Sequence, residues 1–330
     1  VNVYEEHDKI GKPIQCTGIL THEIHKFLKM KNSFVVNKIK NAKVYAPNGK
    51  SITVKFDKED TIVDRTKFDS HLAEMAEKEG AKIFLKSKYK SNDGKELKIG
   101  NKRIKTDILI GADGPHSRVA KNNGLWCNRK FVAGNQVVCE LDDLKKDTME
   151  IWMGLGMFAW CVPESKNIGR VGVVSYDKAN EHLKELMKIR CKGAKVLERQ
   201  SGLIPIYNPR QKLKKDFVYL VGDAATQVKS TSYGGIVLGM KAANVLARNK
   251  KRYVLNCRKE VDKDLYLSKI IRRTMDNFKI KDHNEFVKLV NQKRIKNILE
   301  TKSRDYPSKM LLELLIKEPR FMKFALKTLF

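Results

Sequence analysis

Residues 217–225 read Phe-Val-Tyr-Leu-Val-Gly-Asp-Ala-Ala, and this stretch indicates how the chain folds. The five apolar and aromatic residues at its start predict a buried strand, which ends at a Gly-Asp pair whose aspartate is Asp223. Gly234 and Gly235 follow after a short loop, and apolar residues at helical spacing predict a helix that begins near Ile236. A strand, a glycine-containing turn and a helix in this order are typical of the nucleotide-binding lobes of α/β proteins.

Asp223 and the glycines after it suit a flavin nucleotide as the ligand. A carboxylate at the end of a strand can accept hydrogen bonds from sugar or ribityl hydroxyl groups. Glycines let the backbone approach a ligand closely, and the N-terminus of the next helix offers unpaired N–H groups and a positive dipole end. That dipole favours negative charge on the pyrimidine edge of a reduced flavin. The alternative is an ordinary strand, turn and helix in which Asp223 is a capping residue.

A second stretch, residues 107–119, has a similar arrangement. It reads Asp-Ile-Leu-Ile-Gly-Ala-Asp-Gly-Pro-His-Ser-Arg-Val, with Asp113 in a tight turn and Ser117 and Arg118 able to bind phosphate. The two stretches, in this order and about 110 residues apart, are similar to the fingerprint pair of the p-hydroxybenzoate-hydroxylase-like flavoproteins. The resemblance implies an FAD site with contacts from Asp113, Gly222, Asp223, Gly234, Gly235 and Ile236.

Residues 158–163 read Phe-Ala-Trp-Cys-Val-Pro and are followed by Gly172, which resembles the aromatic-x-Trp-x-(Phe/Val)-Pro…Gly motif of the geranylgeranyl reductase family. In that family the motif shapes a tunnel for a long isoprenoid chain. Such a chain offers only weakly polar double bonds for recognition, so an apolar, aromatic-lined groove suits it. The resemblance implies substrate contacts from Phe158, Trp160, Pro163 and Gly172. The alternative is a strand that packs its aromatic residues into an ordinary core.

Three further stretches resemble the same family. Residues 10–18, Ile-Gly-Lys-Pro-Ile-Gln-Cys-Thr-Gly, are similar to its Gly-x-Pro-x-x-Cys stretch, which lies against the flavin. Residues 64–69, Asp-Arg-Thr-Lys-Phe-Asp, are similar to its Arg-x-x-Phe-Asp segment. Residues 1–5 are similar to the strand of this fold that ends in an acidic residue, which holds the adenosine ribose. The resemblance implies cofactor contacts from Glu5, Cys16, Thr17, Gly18 and Arg65.

Two of these residues have simpler interpretations outside that context. Cys16 is then a buried core thiol, and Arg65 is a surface arginine at the start of a helix. Within the family resemblance, Cys16 is also the candidate catalytic residue, because it is the nearest group that could supply a proton to the substrate.

The order of predicted elements indicates a mixed α/β (α+β) fold in which an antiparallel sheet is inserted into a Rossmann-like lobe. Asn48-Gly49 and Asp93-Gly94 predict hairpin turns. The predicted domains are an FAD-binding Rossmann-like domain (1–40, 62–125 and 205–255), an antiparallel-sheet substrate domain (41–61 and 126–204) and a C-terminal helical region (256–330). In this fold a glycine-rich βα unit of about 30 residues cradles the FAD pyrophosphate. This unit is not found among residues 1–330, and truncation and true loss both stay open as explanations.

The formal net charge of +29 concerns the partners of the chain more than its fold. Residues 241–330 hold 24 basic and 10 acidic residues, but lysine and arginine are spread along the whole chain. A nucleic-acid surface, contact with anionic lipid headgroups and a composition bias are the competing explanations. Because no zinc finger, RNA-binding aromatic signature or helix-turn-helix is evident, no nucleic-acid partner is expected, whereas an anionic membrane surface stays a candidate partner.

The cysteine pattern and the lengths of the apolar runs bear on metal binding and on cellular location. The six cysteines are scattered without a CxxC pair, which argues against a metal site and a disulfide framework and favours reduced thiols in a cytoplasm. No run approaches 18 apolar residues and no signal-peptide pattern opens the chain. We therefore expect a cytoplasmic protein that binds peripherally at the inner face of the cell membrane.

The family resemblance implies that the chain reduces carbon–carbon double bonds in geranylgeranyl chains of an isoprenoid lipid of the archaeal type. Reduced FAD would supply a hydride, and an acid or solvent would supply a proton. NAD(P)H and ferredoxin both remain open as electron donor, and the oligomeric state is open. One alternative is a flavin-dependent monooxygenase or halogenase of the same fold. Another is a non-catalytic remnant that binds lipid or a partner without FAD.

Overall fold

The computed structural model of this protein describes residues 1–327, apart from the side chain of residue 326. In this part of the chain the strands form four sheets, and most helices follow residue 235. The mixed α/β class expected from the sequence is confirmed, with a large sheet and a helical C-terminal region. No helix among the described residues combines the length and the apolar composition needed to cross a bilayer.

The strands, numbered in chain order, are β1 (Asn2–Tyr4), β2 (Ile19–Leu20), β3 (Val35–Tyr45), β4 (Ser51–Val63), β5 (Lys82–Phe84), β6 (Tyr89–Asp93), β7 (Glu96–Ile99), β8 (Lys102–Lys105), β9 (Leu109–Gly111), β10 (Phe131–Glu140), β11 (Thr148–Met153), β12 (Phe158–Pro163), β13 (Ile168–Ser175), β14 (Val196–Pro205), β15 (Lys214–Lys215) and β16 (Val218–Leu220).

The α-helices are α1 (Arg65–Lys78), α2 (Arg118–Asn122), α3 (Ala179–Arg190), α4 (Ile236–Arg248), α5 (Tyr253–Cys257), α6 (Lys263–Asp276), α7 (Ile280–Val290), α8 (Lys293–Thr301), α9 (Leu311–Lys317) and α10 (Met322–Leu326). Short 3₁₀ turns lie at His22–Lys26, Gly222–Ala225, Lys250–Arg252, Pro307–Lys309 and Pro319–Phe321, and a π-helical turn lies at Arg258–Asp262.

The largest sheet contains eight strands in the order β14-β10-β13-β12-β11-β3-β4-β2. Its neighbouring strands are antiparallel except for β11 and β3, which run parallel. Side chains alternate between its two faces. Along β12, Ala159 and Cys161 join the core beneath α3, whereas Phe158 and Trp160 lie on the opposite face, as their spacing predicts. One face of the sheet is therefore closed by a helix, and the other is available to line a cavity.

Two pairs of parallel strands belong to the other lobe. β1 pairs with β5, and β9 pairs with β16, in two separate sheets. The turns predicted to bind the cofactor follow the C-terminal ends of these strands, with Glu5 after β1, Asp113 after β9 and Gly222 after β16. An antiparallel meander of β6, β7 and β8 is inserted between β5 and β9.

Both predicted hairpin turns are present. Asn48-Gly49 connects β3 to β4, and Asp93-Gly94 connects β6 to β7. The two glycines have φ angles of 79° and 47°, a region that favours glycine because it lacks a Cβ atom. The predicted domain boundary between residues 40 and 41 falls inside β3.

The C-terminal helices pack on the large sheet beside β4. Val287 and Val290 of α7 share a core with Val54 and Met153. Phe324, in α10, is buried and lies 4.9 Å from Phe278 between ring centroids. The helical region expected at 256–330 is thus helical over its described part, and residues 328–330 lie outside the described residues.

Candidate active site

A cavity of about 970 Å³ lies between the two lobes of the fold. One end is lined by the turns that follow β9 and β16, and the other by apolar side chains of the large sheet and of the C-terminal helices. The cavity brings together most of the residues predicted to contact cofactor or substrate. These are Cys16, Thr17, Gly18, Arg65, Phe158, Trp160, Gly222, Asp223, Gly234, Gly235 and Ile236.

Asp223 lies in the short 3₁₀ turn that directly follows β16. Its backbone carbonyl accepts a hydrogen bond from the N–H of Thr226 at 2.9 Å, which fixes the turn. Within residues 1–327 no donor contacts its carboxylate, so both carboxylate oxygens remain available to a ligand. Burial raises the pKa of Asp223 to about 6, against the lowering effect of the positive charges of Arg65 and Arg129.

The glycines around Asp223 place no side chain in the space beside its carboxylate. Gly222 has a φ of 61°, which favours glycine over residues with a Cβ atom. A Cβ atom on Gly235 would lie 3.0 Å from Oδ1 of Asp223 and 3.3 Å from Val228. Gly235 is also the N-cap of α4, so the N–H groups at the start of this 13-residue helix face the same cavity. A free carboxylate, an open backbone and a helix N-terminus together suit a flavin.

Arg129 joins the two turns and was not predicted from the sequence. Its guanidinium donates to the carbonyl of Pro115 at 2.9 Å and to the carbonyl of Ala224 at 2.6 Å. The guanidinium also stacks 4.1 Å from the ring centroid of Trp126, and burial lowers its pKa. Because no local pattern surrounds Arg129, only its three-dimensional contacts identify it.

Asp113 and Glu5 lie outside the cavity lining. Asp113 accepts hydrogen bonds from the Ser117 hydroxyl at 2.6 Å and from the N–H of Val119 at 3.0 Å, so its carboxylate supports the start of α2. Glu5 accepts a hydrogen bond from the N–H of His7 at 2.8 Å. The cavity is lined instead by the neighbours of Asp113 in the same turn, and cofactor contacts from Asp113 and Glu5 stay predictions.

Cys16, Thr17 and Gly18 form one corner of the cavity. The N–H of Gly18 lies 3.3 Å from the sulfur of Cys16, in a tight turn where Gly18 has a φ of 74°. The carbonyl of Thr17 accepts a hydrogen bond from Arg170 at 2.5 Å. Arg170 is buried, so it fixes this corner from behind.

Arg65 lies beside this corner at the start of α1. It makes a two-pronged ion pair with Asp69, at 3.2 and 2.8 Å. Such a pair fixes the plane of the guanidinium while leaving a positive charge near the cavity. Arg65 is thus a helix-start arginine that also lines the cavity.

A polar network connects this corner to the aromatic wall. Oε1 of Gln136 accepts hydrogen bonds from the Thr17 hydroxyl at 2.7 Å and from the Trp160 indole N–H at 3.1 Å. Nε2 of Gln136 donates to Gln200 at 2.6 Å. Gln136 therefore sets the orientation of the Trp160 ring and links it to the segment that contains Cys16. The adjacent polar residues Asn135 and Gln136 in the middle of the otherwise apolar strand β10 were the available sequence signal.

The four residues of the substrate motif take different roles. Phe158 and Trp160 line the cavity, with ring centroids 5.9 Å apart. A Cβ atom on Gly172 would lie 2.7 Å from Cε2 of Trp160, so this glycine makes room for the indole. Pro163 lies away from the cavity, where its carbonyl accepts a hydrogen bond from Asn37 at 2.8 Å. The motif is part cavity wall and part support.

The rest of the wall on this side is apolar. Side chains from β3, β4 and β11 meet side chains from α6, α7 and α8. The apolar lining residues from these elements are Ala42, Val44, Ile52, Val54, Phe56, Met149, Ile151, Met153, Ile271, Met275, Phe286, Val287, Val290 and Leu299. Among residues 1–327 no cluster of histidine, cysteine, aspartate and glutamate is arranged to hold a metal ion.

Solved structures similar to this chain include a reductase-like protein and flavin-dependent enzymes. A geranylgeranyl bacteriochlorophyll reductase-like protein from Thermoplasma acidophilum matches 96% of this chain and 91% of its own, with a TM-score of 0.82 and 19% identity. A flavin-dependent halogenase matches 98% of this chain and 73% of its own, with a TM-score of 0.67 and 14% identity. The fold is that of the FAD-dependent oxidoreductases.

Sequence relatives narrow this class to one family. A digeranylgeranylglycerophospholipid reductase of Methanocaldococcus jannaschii is 33% identical over 261 residues, which are 72% of this chain and 66% of the relative. One from Methanococcus vannielii is 29% identical over 324 residues, 90% of this chain and 79% of the relative. No family model matches the sequence. The chain belongs to the geranylgeranyl reductase family and spans about two thirds of the length of the first of these relatives.

Proposed function

We propose that the chain binds FAD and reduces carbon–carbon double bonds in the geranylgeranyl chains of a membrane lipid. One observation carries the proposal: a single cavity is lined both by Asp223 and Gly235 and by the apolar wall that includes Trp160. A flavin on the first surface would therefore meet an isoprenoid chain on the second. The names of the archaeal relatives support the same substrate class.

The chain's own residues divide the work of binding. Asp223 accepts hydrogen bonds from cofactor hydroxyl groups, and Gly235 allows the cofactor to approach the start of α4. Bound and reduced, FAD supplies the hydride for one alkene carbon. Phe158 and Trp160 hold the isoprenoid chain of the substrate in a dry groove. Positioning contributes most to the rate there, because an isolated alkene gains little from electrostatic stabilisation.

Cys16 is the candidate proton donor for the other alkene carbon. Its thiol lines the cavity near the guanidinium of Arg65. Transfer of the thiol proton would leave a thiolate beside this positive charge, and solvent would return the proton afterwards. The Cys16→Ala variant should keep FAD and lipid affinity but lose most turnover, while Cys16→Ser should retain part of it. Equal turnover in all three proteins would assign the proton to solvent.

The overall proposal is tested by anaerobic single turnover. The chain is loaded with FAD, reduced with dithionite and mixed with a geranylgeranyl lipid. Oxidation of the flavin by the lipid, seen as the return of flavin absorbance without oxygen, is the expected result. Failure to retain FAD, or a reduced flavin that is stable towards the lipid, would contradict the proposal.

The same proposal includes peripheral binding to an anionic bilayer through α9. Leu312 and Ile316 are each 69% exposed and lie one turn apart on the same face. Lys317 ends this helix, where it also pairs with Glu313 at 3.0 Å, and the N-cap residue Met310 lines the large cavity. The exposed apolar pair would enter the interface while Lys317 contacts a headgroup, at about 1 kcal/mol for a well-placed lysine.

Vesicle sedimentation tests this surface. Leu312→Glu with Ile316→Glu should weaken binding to anionic vesicles, and added NaCl should weaken binding of the unmodified chain. Ile189→Glu with Leu255→Glu is the matched control, since these residues are 59% and 65% exposed on other helices. Equal weakening by both pairs, or binding that ignores salt, would count against α9 as the contact.

A further inference from the structure

A second cavity of about 280 Å³ lies beside the large one. It is formed by residues 21–23, 56–60 and 299–309. Phe56, Leu299 and Arg304 line both cavities, so the two share a wall. The large cavity is apolar on its sheet side, whereas the small one is lined mainly by charged and hydroxyl-bearing side chains. An apolar cavity that adjoins a polar one matches the two ends of an amphiphile.

Basic side chains converge on the small cavity. Lys58, Lys302, Arg304 and Lys309 line it. Within residues 1–327, no ion-pair partner is found for Lys58 or Lys309, and Lys302 approaches Glu313 only to 3.8 Å. Two of the lining residues are therefore cations whose charge is not already matched by a nearby carboxylate.

Further cations gather around Tyr306, which also lines the small cavity. The ammonium groups of Lys26, Lys241 and Lys309 lie 5.3, 4.8 and 4.8 Å from the centroid of its ring. Burial lowers the pKa of Lys241, against the raising effect of the carboxylates of Asp264 and Glu260. Of these three lysines, Lys309 lines the small cavity and has no ion-pair partner among residues 1–327, so its charge is open to an anion.

Four carboxylates line the same cavity, and three of them already have partners. Glu23 pairs with Lys26 and His22, Asp60 pairs with Arg304, and Glu300 accepts a hydrogen bond from the N–H of Lys55 at 3.1 Å. The fourth, Asp57, is exposed. The internal pairs use Lys26 and Arg304 but leave Lys58 and Lys309 for an external anion.

We propose that the small cavity binds a phosphate group, and that Lys58 and Lys309 are its principal ligands. A phosphate accepts hydrogen bonds from lysine ammonium groups and from hydroxyl groups, and the hydroxyl of Ser303 lines the small cavity. The hydroxyls of Thr21 and Thr301 already donate to Asp305 and to the carbonyl of Asn297. The phosphate is carried by the lipid whose chains occupy the large cavity, so this inference rests on the proposed function. Free phosphate has the same chemistry, and the test separates the two sources.

Calorimetric titration of the full chain with farnesyl phosphate and with farnesol measures how much the phosphate group contributes to the affinity. Both probes carry the same isoprenoid chain, and only one carries the charge. The chain should bind farnesyl phosphate about tenfold more tightly than farnesol, since charge-assisted hydrogen bonds contribute at least this much. Lys58→Gln with Lys309→Gln should abolish this preference and leave the affinity for farnesol unchanged.

The matched control is Lys184→Gln with Lys188→Gln, which removes the same charge from exposed positions on α3. It should keep the full preference. The inference is overturned by equal affinities of the unmodified chain for both probes, or by equal loss of the preference in both double variants. Thermal unfolding of each variant verifies that the fold is kept.

Inorganic phosphate identifies the source. If the cavity is built for a lipid headgroup, millimolar inorganic phosphate should compete only weakly with farnesyl phosphate, because it lacks the isoprenoid chain. Tight binding of inorganic phosphate by itself would assign the cavity to free phosphate and overturn the headgroup source. Reduction of farnesol by the reduced, FAD-loaded chain tests the proposed function independently, because the alcohol has no phosphate.

Discussion

The two walls of the large cavity are built on different principles. The wall near Asp223 consists of turns in which a particular residue type is required, as at Gly222 and Gly235. The wall of the large sheet consists of apolar side chains that alternate along strands, and many similar residues could replace one another there. A single added atom should therefore disturb ligand binding at the first wall, whereas ligand binding at the second wall should depend on the volume of its side chains. Substitutions should separate the two walls.

The largest expected effect is on the turn wall. Gly235→Val puts a branched side chain where even a Cβ atom would lie 3.0 Å from Asp223 and 3.3 Å from Val228. We expect FAD affinity to fall about a hundredfold, in line with the cost of overpacking. Farnesol affinity, measured by calorimetry, should change little. A variant that binds FAD normally would show that this glycine is not required for close approach.

Trp160 tests the sheet wall in the same way. Trp160→Ala removes the largest aromatic side chain of this wall, and farnesol affinity should fall about thirtyfold, from the apolar area lost. FAD affinity, measured by flavin fluorescence, should stay within about twofold, since the substitution leaves the turn at Asp223 in place. Trp160→Phe is the control, and it should recover most of the farnesol affinity. Equal losses of both ligands would mean that the two walls are not separable.

The pH dependence of ligand affinity distinguishes the two walls without any substitution. The pKa of about 6 for Asp223 means that its carboxylate is ionised at pH 7 and largely protonated at pH 5. Because the ionised form is the better acceptor of hydroxyl hydrogen bonds, FAD affinity should be greatest above pH 6. It should fall about tenfold as the pH drops from 7 to 5. Farnesol affinity should be flat over this range, and Asp223→Asn should remove the pH dependence of FAD binding.

Substitution of Gln136 should have the smallest effect, and it is the one substitution here that should weaken the binding of both FAD and farnesol. Gln136→Leu leaves the indole N–H of Trp160 and the hydroxyl of Thr17 without their acceptor. A loss of about 1 kcal/mol, or about fivefold, is expected for FAD and for farnesol alike. Gln136→Glu keeps the accepting oxygen and serves as the control. An effect on farnesol alone would limit the network to the aromatic wall.

The elements that carry the turn wall could be predicted from the sequence, because buried strands, glycine-containing turns and helices leave recognisable patterns in it. The cofactor contacts of their residues stay predictions. The strand that ends at Asp223, the helix from Ile236 and the hairpin at Asn48-Gly49 all lie where their patterns predict them. At Asp113 a cofactor contact stays a prediction. Its sequence context resembles that of Asp223, but its carboxylate is used by Ser117 and Val119.

The supporting contacts could not be predicted from local patterns. Arg129 joins Pro115 to Ala224, and Gln136 joins Thr17 to Trp160, across long separations in the chain. The contacts of Arg129 depend on how separate loops meet, and the contact of Gln136 with Trp160 depends on the register of β10, β13 and β12. Neither residue belongs to a repeated pattern. The small charged cavity has the same origin, since its lining comes from three separate segments of the chain.

The most direct test of the account is the mass of the lipid after reaction. The FAD-loaded chain, reduced with dithionite under nitrogen, is incubated with a digeranylgeranylglycerol phosphate, and the product is analysed by mass spectrometry. We expect a gain of two hydrogen atoms for each reduced double bond, and we expect this gain to be lost in both Gly235→Val and Trp160→Ala. A lipid of unchanged mass from a chain that has kept its FAD would contradict it, as would a product that forms only when oxygen is admitted.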